Sequence, residues 1–171
     1  MPAKGIPLTI DWRCVIFLSG QAIAMQQASS GEEGAAAAHR REFTLGSTLH
    51  SVDVAERLVR ILCERAGYTA QQCEEIALAV RETVANAVLH GNCCDATKRV
   101  TLAAELKDSG VVISVRDEGK GFDPALVRDP LDPRNLFQES GRGIFLIKTL
   151  MDEVILQCAA AGTEVTMIKY R

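Results

Sequence analysis

Residues 99–123 read RVTLAAELKDSGVVISVRDEGKGFD, and they set the architecture. In RVTLAAEL and VVISVRD apolar and polar residues alternate, the period of a strand with one face buried. Between them Lys107-Asp108-Ser109-Gly110 is turn chemistry, so the pair is an antiparallel hairpin. The second strand delivers Asp117 at its end. Gly119 and Gly121 follow directly, and they let the backbone turn tightly and come close to a ligand. A carboxylate only accepts hydrogen bonds, so Asp117 suits an exocyclic amino group such as that of adenine, although a plain turn leaving a strand has the same residues.

Working outward, a second hairpin is expected from EVILQCAA and TEVTMIKY, joined near Ala161-Gly162, and EFTLGSTL (42–49) alternates like a first short strand. Helical spacing marks three segments. VDVAERLVRILCERAG (52–67) carries Val54, Leu58, Ile61 and Leu62 and is closed by Gly67. A helix capped by Thr69 runs from about Ala70 to His90 with Ile76, Val80, Val84, Ala87 and Val88 as its buried stripe. GIFLIKTLM (143–151) is the third. Strands in hairpins with three apolar-striped helices are satisfied by an α+β fold, a two-layer α/β sandwich: a mixed, mainly antiparallel sheet with the helices on one face. The segment 123–143, DPALVRDPLDPRNLFQESGRG, has no clear period and reads as a lid or binding loop.

Bulk properties narrow the function. At 171 residues the chain holds one domain with a proper core. Apolar residues at 47% and charged residues at 24% place it among ordinary globular proteins. A formal charge of −3 gives no support to a nucleic-acid surface. The six cysteines, Cys14, Cys63, Cys73, Cys93, Cys94 and Cys158, contain no CxxC spacing, which argues against zinc or a disulfide framework and for a reducing cytoplasm. WRCVIFLSGQAIAM (12–25) is too broken to span a membrane and makes a poor signal peptide. Residues 25–41 are small, polar and alanine-rich, so residues 1–41 are expected to form a flexible extension, with Met25 a candidate native start, and the folded domain to occupy 42–171.

Chemistry concentrates in three places. On the second helix Glu82, Asn86 and His90 stand four apart and share a face away from the apolar stripe. Asparagine is unfavourable inside a helix, so Asn86 suggests a task such as offering its carbonyl oxygen to a hard cation. His90 with Gly91 also fits an ordinary helix end. The strand-end aspartate is the second place. The third is Gly141-Arg142-Gly143 entering a helix, where free backbone N–H groups suit phosphate and Arg142 could add a cationic contact. The GxxxxGK[ST] phosphate loop and a dinucleotide GxGxxG are both missing.

Their order, ExxxN on a helix, DxGxG at a strand end, a loop, then GxG into a helix, resembles the histidine-kinase-like ATPase superfamily that unites gyrase, histidine kinases, heat-shock chaperones and mismatch-repair ATPases. Within it ETVANAVLHGN, DEGKGFD and GRGIFLIKTLMDEV are most similar to anti-sigma-factor serine kinases of the RsbW type. The resemblance covers about residues 42–171. It implies that Asn86 coordinates Mg²⁺ bridging the phosphates of ATP and that Glu82 is the general base. It implies that Asp117 binds the adenine amino group, with Gly119 and Gly121 shaping that wall and Thr163 supporting it. Gly141, Arg142 and Gly143 would close on the phosphates. The implied partners are a sigma factor and an anti-sigma-factor antagonist, and the implied assembly is a homodimer. An ATP-binding switch without catalysis and the catalytic part of a histidine kinase are the alternatives. The second is disfavoured because residues 1–66 hold no long two-helix segment with a phospho-accepting histidine.

Overall fold

The structure, a computed structural model, describes residues 24–26, 39–121, 142–159 and 161–171. Among the described residues six strands form one sheet. They are β1 (Ala24–Gln26), β2 (His39–Gly46), β3 (Arg99–Lys107), β4 (Gly110–Arg116), β5 (Glu153–Ala159) and β6 (Gly162–Tyr170), in the spatial order β1-β2-β3-β4-β6-β5. Every described ladder is antiparallel. The β3–β4 hairpin closes with Lys107 opposite Gly110, so the expected four-residue turn is tighter than drawn and only Asp108 and Ser109 lie outside the ladder. Gly110 lies so close to β6 that a Cβ there would stand 2.3 Å from the Lys169 carbonyl oxygen.

Among the described residues three α-helices pack on the sheet: α1 (Leu49–Arg65), α2 (Ala70–Asn86) and α3 (Arg142–Leu150). Alternate residues of the central strands, among them Phe43, Leu102 and Ile113, meet Leu58, Leu62, Ile76, Val80, Val84 and Ile147 in one core. The expected stripe of α2 is buried throughout. On α1, Val54, Leu58 and Leu62 are buried while Ile61 packs at the margin.

Local chemistry explains the helix ends. Gly67, with φ of 81°, takes the left-handed conformation that closes α1, while Tyr68 N–H reaches back to the Cys63 carbonyl (3.1 Å). At Thr69 a reciprocal cap forms. Its Oγ1 accepts from Gln72 N–H (3.2 Å), and the Gln72 side chain accepts from Thr69 N–H (3.1 Å).

Two boundaries differ from the sequence reading. The first strand begins at His39 rather than Glu42 and ends at Gly46, with β1 paired against its outer side. An edge pairing runs through backbone groups and needs no apolar alternation, which is why Arg40 and Arg41 gave no strand signal. The rest of the expected extension and nearly all of the expected loop lie outside the described residues. The second difference is that α2 does not continue as an α-helix to His90. It passes at Ala87 into one wide turn of π-helix, Ala87–Gly91, closed by Asn92 N–H on the Ala87 carbonyl (2.8 Å). The wider turn breaks the spacing that aligned His90 with Asn86, and His90 is exposed.

Candidate nucleotide site

The last two turns of α2 and the first turn of α3 meet face to face. A Cβ on Gly143 would lie 2.1 Å from Glu82 Oε1 and 3.0 Å from Asn86 Nδ2, so glycine lets the start of α3 come this close without displacing the Glu82 side chain. Glu82 and Asn86 are half-buried. Among the described residues neither side chain makes a hydrogen bond or ion pair, which leaves both available beneath a helix N-terminus whose first N–H groups have no intrahelical partner.

Lys169 of β6 fastens this arrangement from the far end of α3. Its Nζ donates to the Leu150 carbonyl (2.8 Å) and pairs with Glu75 Oε2 (2.9 Å) on α2 and Asp152 Oδ1 (3.5 Å). Burial pulls the Lys169 ammonium down, but its hydrogen bond and charge interactions with Glu75 and Asp152 outweigh this and hold it above its ordinary value. The same Lys169 hydrogen bond, helped by Gln71, holds the Glu75 carboxyl below its ordinary value. With α3 tied at Leu150 and anchored by buried Ile147, Gly143 has a fixed place over Glu82.

The second cluster surrounds Asp117, which is 5% exposed at the end of β4. Its Oδ1 accepts from Gly119 N–H (2.8 Å) and from Thr163 N–H (3.1 Å), and its own N–H donates to the Thr163 carbonyl (3.0 Å). Three glycines form the walls. A Cβ on Gly91 would stand 2.4 Å from Asp117 Oδ2, one on Gly119 2.3 Å from the Gly91 carbonyl oxygen, and one on Gly162 2.1 Å from the Asp117 carbonyl oxygen. Oδ1 is thus used twice by the protein, while Oδ2 receives no hydrogen bond among the described residues. Gly121, with φ of 67°, lies against the Ala159 carbonyl at the end of β5.

Of the residues singled out in the sequence, Glu82, Asn86 and Gly143 come together, and Asp117, Gly119 and Thr163 come together beside them. Gly121 lines the same loop further out. Gly141 and the Arg142 side chain lie outside the described residues. Two contributors lacked an assigned role. In the sequence Gly162 reads as turn chemistry alone and Asn92 as the last letter of a motif; the structure shows Asn92 fully buried directly after the glycine that ends the helix. No cluster of three or more metal-ligating His, Cys, Asp or Glu side chains occurs among the described residues, and the five described cysteines are free. No described helix is long and apolar enough to cross a membrane.

Comparison with known proteins places these features. The sequence profile of the histidine kinase-like ATPase domain matches residues 45–169. The serine-protein kinase RsbW of Staphylococcus epidermidis is 31% identical over 136 residues, covering 75% of this chain and 85% of that protein. The serine-protein kinase RsbW of Bacillus subtilis is 33% identical over 115 residues, covering 64% and 71%. Among solved structures, the RsbU and RsbW domains of Rv1364c from Mycobacterium tuberculosis align with a TM-score of 0.58 at 23% identity, over 77% of this chain and 32% of that one. That likeness concerns the fold, since the chain spans about a third of the length of the solved protein.

Proposed function

The chain belongs to the histidine kinase-like ATPase family, with serine-protein kinases RsbW among its relatives, and from that premise we propose an ATP-dependent protein-serine kinase that acts as an anti-sigma factor. Its phosphoryl acceptor is a serine of an anti-sigma-factor antagonist, and its second partner is a sigma factor. The observation that carries the reading is the Glu82 carboxylate one turn before the Asn86 amide, both directly beneath the Gly143 backbone.

Adenine recognition falls to Asp117. With Oδ1 saturated by two backbone N–H groups, Oδ2 is the acceptor left for the exocyclic amino group. Gly119 and Gly121 keep that wall free of side chains, and Thr163 holds the carboxylate from β6. At the other end the first turn of α3, with Gly141, Arg142 and Gly143, receives the phosphates. Asn86 would hold Mg²⁺ through its amide oxygen. A site with one protein ligand fits this ion, which is usually held by few side chains plus phosphates and water. When bound, the ion would supply positive charge that offsets the charge of the phosphates. Glu82 takes the proton of the acceptor serine as its hydroxyl oxygen bonds to the γ-phosphorus and ADP leaves. The protein works in the cytoplasm as a homodimer.

Labelled ATP with Mg²⁺ and the antagonist protein tests this. Wild type is expected to transfer label to serine, and Glu82→Ala to bind ATP by calorimetry with transfer reduced by at least about 100-fold. Wild-type turnover in Glu82→Ala refutes the base. Binding without any transfer by the wild-type chain instead makes the protein a nucleotide-dependent switch.

A further inference from the structure

The two halves of the site are joined by a ring of three hydrogen bonds that the reaction itself does not require. Asn92, 0% exposed, follows the π turn that ends α2. Its Nδ2 donates to the Arg99 carbonyl (2.9 Å), Arg99 N–H donates to Glu118 Oε2 (2.8 Å), and Glu118 N–H donates to Asn92 Oδ1 (2.9 Å). The ring thus closes through the end of the nucleotide helix, the first residue of β3 and the residue beside Asp117. Both polar ends of the Asn92 side chain are used, and each partner is backbone.

Geometry gives this ring a directional consequence. Glu118 N–H belongs to the peptide linking it to Asp117, so Asn92 Oδ1 fixes the plane of the peptide that carries the carboxylate. Gly91, the neighbour of Asn92, abuts Oδ2 of the same carboxylate. The atom left to read the nucleobase therefore owes its position to Asn92 on one side and Gly91 on the other. A carboxylate oxygen held in place accepts from an amino group and repels a carbonyl oxygen. If it can swing aside, that rejection weakens. We propose that Asn92 is a positioning residue for base selection, which sets through Glu118 the place of Asp117 and so the preference for an adenine over a guanine nucleotide. This rests on the nucleotide reading above and names its specificity determinant.

The test is the ratio of dissociation constants for Mg-GTP and Mg-ATP, measured by calorimetry on the full chain, with thermal melting of each variant alongside. Wild type is expected to prefer ATP, and Asn92→Ala to reduce the ratio at least tenfold. A merely structural role lowers the melting temperature and weakens both nucleotides together, leaving the ratio unmoved, and that result overturns the inference. Should Asn92→Ala fail to fold, Asn92→Ser decides, because serine keeps a polar group in the buried position but is too short to span the Glu118 N–H and the Arg99 carbonyl. A several-fold smaller ratio supports the inference and an unchanged ratio overturns it. A wild-type chain that binds both nucleotides equally overturns it too, leaving ATP binding intact. A wild-type chain that binds neither overturns the nucleotide reading and this inference with it.

Discussion

Replacing Gly143 by alanine puts one methyl group between α3 and the proposed base. The new Cβ would stand 2.1 Å from Glu82 Oε1, and ordinary van der Waals contact begins at 3.4 Å, so one side must yield by about 1.3 Å. The α3 side is the stiffer one, because Ile147 is buried and the Leu150 carbonyl is bonded to Lys169. Glu82 is the far end of a flexible side chain and swings away instead. Asn86 Nδ2, at 3.0 Å, needs to give by only a few tenths of an ångström. Misplacing a reacting group by about 1 Å costs roughly 100-fold in rate, equivalent to about 2.7 kcal/mol of transition-state stabilisation. Folding stability does not fall, since alanine is the better helix former by up to about 1 kcal/mol. The expected outcome is a chain with unchanged or raised melting temperature, ATP affinity within a few-fold of wild type, and phosphoryl transfer to the antagonist slowed about 100-fold in single-turnover assays. In a Glu82→Ala background the same change should cost less than about threefold, because the carboxylate it displaces is gone. Wild-type turnover in folded Gly143→Ala refutes the reasoning. So does a full 100-fold loss on top of Glu82→Ala.

Two further perturbations test the frame around the site. Thr69→Ala removes the reciprocal cap with Gln72 and should lower stability by about 1 kcal/mol in urea titrations with an unchanged denaturant slope. Lys169→Met should cost about 1 kcal/mol near neutral pH and flatten the pH dependence of melting at both ends. Glu75 is held below its ordinary 4.5, so its contribution is present above that value and lost as pH falls through the lowered one. Lys169 is held above its ordinary 10.5, so its contribution is present below that value and lost as pH rises through the raised one. A variant that keeps both wild-type slopes would show that the Glu75–Lys169–Asp152 contacts do not form in solution.

The hairpins and helices were legible because burial on one face writes a period into the chain: Leu102, Ala104 and Leu106 on β3, or Ile76, Val80 and Val84 on α2, each fall on the buried side. Glu82 and Asn86 were legible for the opposite reason, as polar residues set among the apolar ones of the last turns of α2. Three features left no such mark. Strand β1 and residues 39–41 join the sheet through backbone bonds, to which side-chain pattern is indifferent. Gly162 looked like a turn residue, yet its lack of a side chain is also demanded by Asp117, far away in sequence. Asn92 bonds only backbone groups of Arg99 and Glu118, and nothing local in the sequence announces partners at that distance.

The π turn shows why the helix end resists local reading. Had α2 continued regularly, Asn92 N–H would have bonded the Val88 carbonyl; it bonds Ala87 instead, and the Val88 carbonyl accepts from Cys94 N–H (2.8 Å). One extra residue per turn at this point is what brings Gly91 against Asp117 and sends Asn92 inward. The chain leaves by way of Cys93 and Cys94, with φ of 54° and 56°, two consecutive left-handed residues that are not glycine. Each costs about 1–2 kcal/mol relative to a relaxed conformation. No propensity of the local sequence offsets that cost, so the opposing free energy comes from contacts made across the fold. Asn92 satisfies two backbone groups in a fully buried position, and its N–H closes the π turn. The strain therefore sits at the joint between the groups proposed for phosphate and those proposed for adenine, where the bonds of Asn92 to Arg99 and Glu118 oppose it.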